Sequence, residues 1–412
     1  MPSDPAVSAE RRDELQIMNV LMLHNSYKIR GGEDESFESE VRMLHDAGHF
    51  VETIHVNNED VEAIGKFTVA VESIWSRPSF DLVDRKLAER PYDVLHVQNF
   101  FPRLSPSVYS AARKHRVAVV QTLRNYRLLC PSAILFRDGH ICEECVGKLL
   151  KFPGIRHACY RNSRIGTATI AAMTALHTLK GTWRDDVDLY LTLTEFSRQK
   201  FVAAGFAADR ILVKNNFVYP DPGPAAGGGG YVLYVGRLNP EKGIETLLSA
   251  WDTLDTSWKL KIVGEGPLAA RVAQYCESKV NAEWLGVKGG AEVKELMGAA
   301  EALVFPSEWY ETFGRVAIES FAKGTPVVAS RLGAMAEIIR EKETGLLFEP
   351  GNASDLAGKL RWAFTHSDEL LKMRAGARAD YEAKYTAKEN CRLLVSAYEA
   401  ARQIREQANL AA

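Results

Sequence analysis

The chain has 412 residues, 46% of them hydrophobic and 25% charged, which is enough for roughly two or three domains with sizeable cores. Its 51 basic and 53 acidic residues leave a formal charge of −2, a balance that gives no sign of a nucleic-acid partner. No stretch approaches the about 20 apolar residues of a membrane span. Residues 1–17 are polar and charged, lack the apolar centre of an export signal and read as a flexible tail. Six cysteines without such a signal point to a reducing, cytoplasmic setting.

In chain order, the apolar run 18–23 predicts a buried first strand, and a loop with Gly31 and Gly32 follows it. Those glycines make either an ordinary tight turn or a place where backbone without a Cβ approaches a ligand. Residues 33–47 predict a helix with Phe37, Val41 and Leu44 on its apolar face. The runs 50–54, 94–97 and 117–120 predict further strands, and 189–193 and 210–213 continue the alternation with helices. Short apolar strands alternating with helices predict a parallel sheet covered on both faces, so the first domain spans 18–218.

An insertion at 130–184 interrupts this pattern. It holds Cys130, Cys142, Cys145 and Cys159, with the middle two in the spacing that zinc sites favour. Only one such close pair is present, so free thiols, a structural metal or a disulfide all remain open. Residues 146–184 carry seven Lys or Arg and no Asp or Glu. Within them Ile165, Ala168, Ala172, Leu176 and Leu179 follow helical spacing. This is either a basic amphipathic helix resting on anionic lipid or a helix with that stripe turned to the core.

The segment 219–230 is dense in proline and glycine and reads as a linker. Beyond it, 231–237 predicts a buried strand that ends at Gly236 and Arg237, and Lys242 sits near the start of the next helix. Strands at 260–264 and 282–287 follow, the latter ending at Val287. Three strand ends carrying glycine, basic or acidic residues to one edge are what a doubly wound sheet presents at its ligand crevice. Glu311 then follows the apolar run 302–305, and Glu319 lies in the helix after it. A helix rises about 12 Å over eight residues, so these carboxylates do not share one metal or one proton. Either they are two solvated glutamates or they hold two parts of one long ligand. The helix N-terminus between them, near Phe313, Gly314 and Arg315, suits a phosphate, with Thr312 just before it as a further donor-binding candidate. This second domain runs from 231 to 385, and a closing helix over 386–412 has the option of packing back on the first.

Residues 231–350 resemble the nucleotide-sugar domain of family-4 retaining glycosyltransferases of the GT-B fold. The resemblance rests on Val235, Gly236 and Arg237, on Lys242 and Gly243, on the run 263–267, on 305–308, on the Glu311 to Glu319 spacing, and on 324–328 and 344–348. It extends into the first half through Gly31, Gly32 and 122–131. It implies two Rossmann-like α/β domains facing across a cleft and no cofactor beyond the donor. Arg237 and Lys242 would bind the diphosphate of a nucleotide-diphosphate sugar, Glu311 would face the sugar, Glu319 the ribose, and the backbone at Val287 the base. The acceptor would be a saccharide or a lipid-linked molecule. In the family a histidine often follows the strand equivalent to 117–122; here Arg124 stands there, followed by Asn125. An arginine stays protonated near neutral pH and is no base, though it can bond a sugar hydroxyl or an anion. His96 is the nearby imidazole, with a structural histidine as the alternative reading. A nucleotide-sugar epimerase, a sugar phosphorylase or a non-catalytic nucleotide-binding protein are the rival functions on this fold.

Overall fold

The computed structural model describes residues 17–26, 31–58, 65–254 and 257–411. Strands β1 (Asn19–Asn25), β2 (Phe50–Val56), β3 (Val94–Asn99) and β4 (Ala118–Leu123) lead the first half. A short hairpin, β5 (Phe136–Arg137) and β6 (His140–Ile141), lies in the insertion, and β7 (Leu189–Thr192) and β8 (Ile211–Val213) follow. Apart from the hairpin these strands form one parallel sheet in the order β2-β1-β3-β4-β7-β8. The second half contributes β9 (Tyr231–Val235), β10 (Lys259–Val263), β11 (Ala282–Gly286), β12 (Ala302–Phe305), β13 (Val327–Ser330) and β14 (Gly345–Phe348). They form a second parallel sheet in the order β11-β10-β9-β12-β13-β14. The strand order reverses next to β1 in one sheet and next to β9 in the other, and each reversal opens a crevice at the carboxyl ends of the strands.

Successive side chains of a strand point to opposite faces, so each central strand feeds two cores. Leu21, Leu23, Leu95, Val97 and Val119 pack into one core of the first sheet. Val20, Met22, Val94, Ala118 and Val120 pack into the other. That second core is completed by Leu394, Val395, Tyr398 and Ala401 from the closing helix Ala387–Leu410. The last helix of the chain therefore covers a sheet built from its first half.

Polar contacts fix how that helix sits. The Tyr398 hydroxyl lies 2.7 Å from Nδ1 of His96, while Nε2 of His96 is 2.8 Å from the Thr122 hydroxyl. Arg405 pairs with Asp188 at 2.9 Å, and Asn390 Oδ1 accepts from Lys214 Nζ at 2.9 Å. Lys214 also meets the fully buried Glu40 carboxylate at 2.7 Å, and Arg124 meets it at 3.1 Å. The segment between the sheets is fastened as well: Ala225, Gly227 and Gly229 donate to the carbonyls of Lys323, Gly298 and Ala299 at 2.9–3.1 Å.

Burial pushes the His96 pKa down from 6.5 to about 3. Below pH 6.5 the unfolded chain binds a proton there that the folded chain refuses until about pH 3, so stability falls with acid across that window. His24, pushed down by burial to about 4, acts in the same direction. Burial alone would raise Glu40, but Lys214 and Arg124 hold it down to about 2, so its contribution is present above 4.5 and fades as pH falls toward 2. Urea midpoints should therefore drop between neutral pH and the onset of acid unfolding. His96→Gln, which keeps hydrogen-bonding capacity but does not titrate, should have a shallower drop than the parent. Parallel pH curves would assign the acid sensitivity to other groups.

Candidate active site

The carboxyl edge of the second sheet is built with little side-chain bulk. Gly236 N donates to Val263 O at 3.0 Å, Gly264 N to Gly286 O at 2.8 Å, and Leu238 N to Glu265 O at 2.8 Å. These bonds lace the loops after β9, β10 and β11 together. Gly264 has φ +142, and a Cβ there would stand 1.8 Å from the Gly236 carbonyl oxygen, so only glycine permits the approach. Val287, just past β11, is 73% exposed at the end of this edge.

Glu311 lies in the loop after β12 and is buried. Its Oε1 accepts from Lys242 Nζ at 2.5 Å, from Ser307 Oγ at 2.8 Å and from Trp309 Nε1 at 2.9 Å. Lys242 closes the short turn Pro240–Lys242, and its ammonium is 5.0 Å from the centre of the Trp309 ring. Glu308 N donates to Glu241 O at 2.9 Å, which ties this turn to the loop after β12. Arg237 is exposed and forms no ion pair among the described residues. A cation joined to a carboxylate, with a second exposed cation on the neighbouring loop, can receive an anionic ligand.

The helix Arg315–Ala322 begins at Gly314, whose φ is +91; a Cβ there would meet Met335 Cε at 2.3 Å. The first amides of a helix have no intrahelical partners and carry its positive end. Glu319 lies in the second turn, where burial raises its pKa. Arg315 Nε holds Glu319 Oε1 at 2.8 Å, and Arg315 Nη1 lies 3.4 Å from Glu35 of the first domain. Glu35 belongs to the helix Gly32–Asp46, which Gly31 caps in extended backbone. Among the described residues, no heavy atom beyond their chain neighbours stands within 4 Å of where a Cβ would lie on Gly31 or Gly32. Asn125 Nδ2 reaches Glu33 of that helix at 3.4 Å. The structure thus brings Gly31, Gly32 and Asn125 to the side facing Arg315 and Glu319.

Several sequence-based assignments change. His96 is fully buried, with both ring nitrogens engaged by Tyr398 and Thr122, so it does not line the cleft. Arg124 is 4% exposed, and its guanidinium donates to Gln98, Asn216 and Glu40 at 2.6–3.1 Å. It neutralises an internal carboxylate and does not offer its charge to a sugar. Phe313 places its ring in the second domain's core, leaving only its backbone for a ligand. Thr312 Oγ1 donates to the Arg124 carbonyl at 2.9 Å, so its hydroxyl joins the domains. The four clustered cysteines are free thiols, and no group of three or more His, Cys, Asp or Glu among the described residues is placed to hold a metal.

The sequence reading gave no side-chain role to four contributors to this region: Ser307, Trp309, Arg315 and Glu337. Arg315 stands four residues before Glu319, a spacing that signals a helical ion pair. Ser307 and Trp309 carried no such signal, because they reach Glu311 through the shape of a loop. Glu337 accepts from the amides of Glu195 and Phe196 at 3.0 and 2.9 Å, where the first-domain helix Glu195–Ala203 begins. It is a second-domain carboxylate on a first-domain helix terminus, a favourable meeting of charge and dipole.

Two facing sheets of this order, with a cleft between their carboxyl edges, define a GT-B fold. An Anabaena protein, Alr3699/HepE, solved in complex with UDP-glucose, superposes with a TM-score of 0.63 at 17% identity, over 95% of this chain and 99% of that one. Residues 219–380, within the second half of the chain, match the family described as Glycosyl transferases group 1. The sulfoquinovosyl transferase SQD2 of Arabidopsis thaliana is 33% identical over 157 residues, 37% of this chain and 30% of that protein. A 42.6 kDa protein in the cps region of Klebsiella pneumoniae is 25% identical over 78% of this chain and 88% of its own. The first three curated relatives are matched over only 30–43% of their own lengths.

The bonds from Glu337 and Thr312 across the cleft predict that Glu337→Ala combined with Thr312→Val opens it. Small-angle scattering should show a larger radius of gyration without ligand. An unchanged radius would show that the remaining packing alone holds the two sheets in place.

Proposed function

We propose that the chain is a family-4 retaining glycosyltransferase that moves a sugar from a nucleotide-diphosphate sugar to a saccharide or lipid-linked acceptor. The observation that carries this reading is the Lys242–Glu311 pair at 2.5 Å, placed between exposed Arg237 and the helix N-terminus at Gly314. An incoming diphosphate would draw Lys242 from Glu311, leaving the carboxylate, still held by Ser307 and Trp309, to meet a hydroxyl of the sugar. Arg237, Lys242 and the helix amides would then stabilise the charge that develops on the leaving diphosphate. They supply the positive charge at that position without a metal. Front-face attack by the acceptor follows the family resemblance, and no residue of this chain is assigned as a nucleophile. The UDP-glucose complex of the Anabaena neighbour supports a nucleotide-sugar donor. The cps-region relative supports a role in cell-surface polysaccharide or glycoconjugate synthesis. A cytoplasmic location suits such work, and a lipid-linked acceptor would bring the protein to the inner face of a membrane.

Lys242→Ala or Arg237→Ala should lower turnover about a hundredfold or more, as loss of one charge-stabilising donor does. Steady-state kinetics with a labelled donor would measure this, after a thermal-shift comparison of UDP, GDP and ADP identifies the base. Both variants should still fold, because neither side chain lies in a core. Near-parental turnover in both would remove the diphosphate assignment. An epimerase would convert the donor sugar without transferring it, and a non-catalytic protein would tolerate Glu311→Gln.

Glu319 is assigned to the ribose, which does not change in the reaction, so Glu319→Ala should chiefly raise KM for the donor. Glu311 is assigned to the reacting sugar, so Glu311→Gln should chiefly lower kcat. A ribose-deoxygenated donor should erase most of the Glu319 effect and little of the Glu311 effect. Equal responses of both variants would overturn this division of roles.

A further inference from the structure

The helix Arg164–Leu179 has its apolar stripe on the outside. Its buried positions are Thr167, Ile170, Ala171, Met173, Thr174, Ala175 and His177, of which all but Ile170 and Met173 are polar or small. Ile165 is 81% exposed, Leu179 71% and Leu176 44%, and these belong to the one row with regular apolar spacing. The alternative in which that row faces the core is therefore excluded. The burial of Thr167 and Thr174 is tolerated because their hydroxyls donate to carbonyls one turn back, at 2.7 and 3.1 Å.

The exposed row does not stand alone. The helix Lys66–Ile74 packs along the same helix and leaves Phe67 and Val71 exposed. At its end Trp75 stacks on His177 with ring centres 6.3 Å apart, and Lys180 Nζ lies 5.3 Å from the Trp75 ring centre. The short helix Phe152–Arg156 also packs against it, and Leu150 and Phe152 are exposed beside this contact. Exposed large apolar side chains thus come from three segments that pack on one another. Isolated exposed residues need no explanation, but several on elements packed together are the composition of an interaction surface.

The charge around this surface identifies the partner. Residues 146–184 carry seven cations and no carboxylate, and Lys148, Arg156, Arg164 and Lys180 are exposed. The acidic residues just before this segment are engaged elsewhere: Glu143 with Lys200, and Glu144 with Arg137. Those just after it, Asp185 and Asp186, pair with Arg184 and Arg113. Next to Leu149 a cavity of about 610 Å³ opens, floored by Leu129, Trp183 and Phe206 and edged by Lys148 and Arg210. Apolar side chains ringed by cations, with an aromatic residue at the margin, match the layering of a bilayer surface with anionic headgroups.

We propose that this face, formed by the outer row of Arg164–Leu179 with Phe67, Val71, Leu150 and Phe152, docks the protein on an anionic lipid bilayer. The helix lies flat on the bilayer, since no helix among the described residues is long and apolar enough to cross one. The inference does not depend on the donor chemistry proposed above.

Co-sedimentation of the full chain with vesicles tests it. Phosphatidylcholine vesicles containing ~30% phosphatidylglycerol should retain the protein at least about tenfold better than pure phosphatidylcholine, and high salt should weaken the binding. Ile165→Glu with Leu179→Glu should abolish binding to both vesicle types. Lys148→Glu with Lys180→Glu should remove the preference for phosphatidylglycerol. All four positions are exposed, so the variants should keep the parent's melting temperature, and transfer to a soluble acceptor should persist. Failure of the parent to bind the anionic vesicles, or equal binding by the Glu variants, would overturn the proposal. A stable dimer that loses self-association in the Ile165 and Leu179 variant would overturn it too, assigning the face to a second copy. Loss of transfer alone, with vesicle binding intact, would count against the catalytic reading and leave this one standing.

Discussion

A carboxylate buried without water must be neutralised where it stands, and Glu40 imposes that requirement on this fold. Its two oxygens face Lys214 at 2.7 Å, Arg124 at 3.1 Å and the Gln98 amide at 2.5 Å. Removing one partner from such a cluster would leave a buried charge unpaired, at a cost of about 3–5 kcal/mol. The partners come from distant parts of the chain, and Lys214 is oriented in turn by Asn390 of the closing helix. One internal charge thereby joins the first helix, three strand ends of the first sheet and the last helix of the chain.

This cluster also reaches the cleft. With its guanidinium fixed in the core, Arg124 has a fixed backbone, and its carbonyl is the acceptor for Thr312 at 2.9 Å. Thr312 is the residue after Glu311, and its own carbonyl receives Thr194 and Ser197 of the first domain at 3.2 and 3.4 Å. The loop that carries Glu311 is thus held from both sides by groups of the opposite domain. Position along this path explains how an arginine can stand where related sequences often have a histidine. Here the side chain serves the core and only the main chain faces the cleft.

The alternation of short apolar strands with helices was legible in the sequence because it depends on period and length alone. The two parallel sheets follow from it, and the loops rich in glycine mark where backbone meets backbone. His96 and Arg124 show what was not legible. Each follows a strand pattern and stands near the cleft in sequence, but each is turned inward by a partner on another segment, Tyr398 for one and Glu40 for the other. Sequence distance to Tyr398 is 302 residues, so no local signal could have revealed it. The stripe at Ile165, Leu176 and Leu179 is a different case. Its helical spacing was plain, but spacing does not say which face is covered; the opposite face brings Ile170 and Met173 into the core, and its threonines satisfy their hydroxyls within the helix.

Glu311 is held by partners of two kinds. Three donors converge on one of its oxygens, and two of them, Ser307 and Trp309, are neutral and belong to its own loop. Lys242 is the only one of the three that is charged and belongs to another loop. An anion entering beside Arg237 can therefore take Lys242 while the carboxylate keeps the two bonds that orient it. A lysine suits this exchange better than an arginine would, because its compact ammonium on a flexible stem can change partners without a planar fork to realign. The Trp309 ring lies 5.0 Å from the ammonium and offers its face to the cation, which keeps the lysine near the cleft through that change. The three side chains on Glu311 are thus arranged so that one can leave and two remain, beside the glycine-lined edge of the sheet.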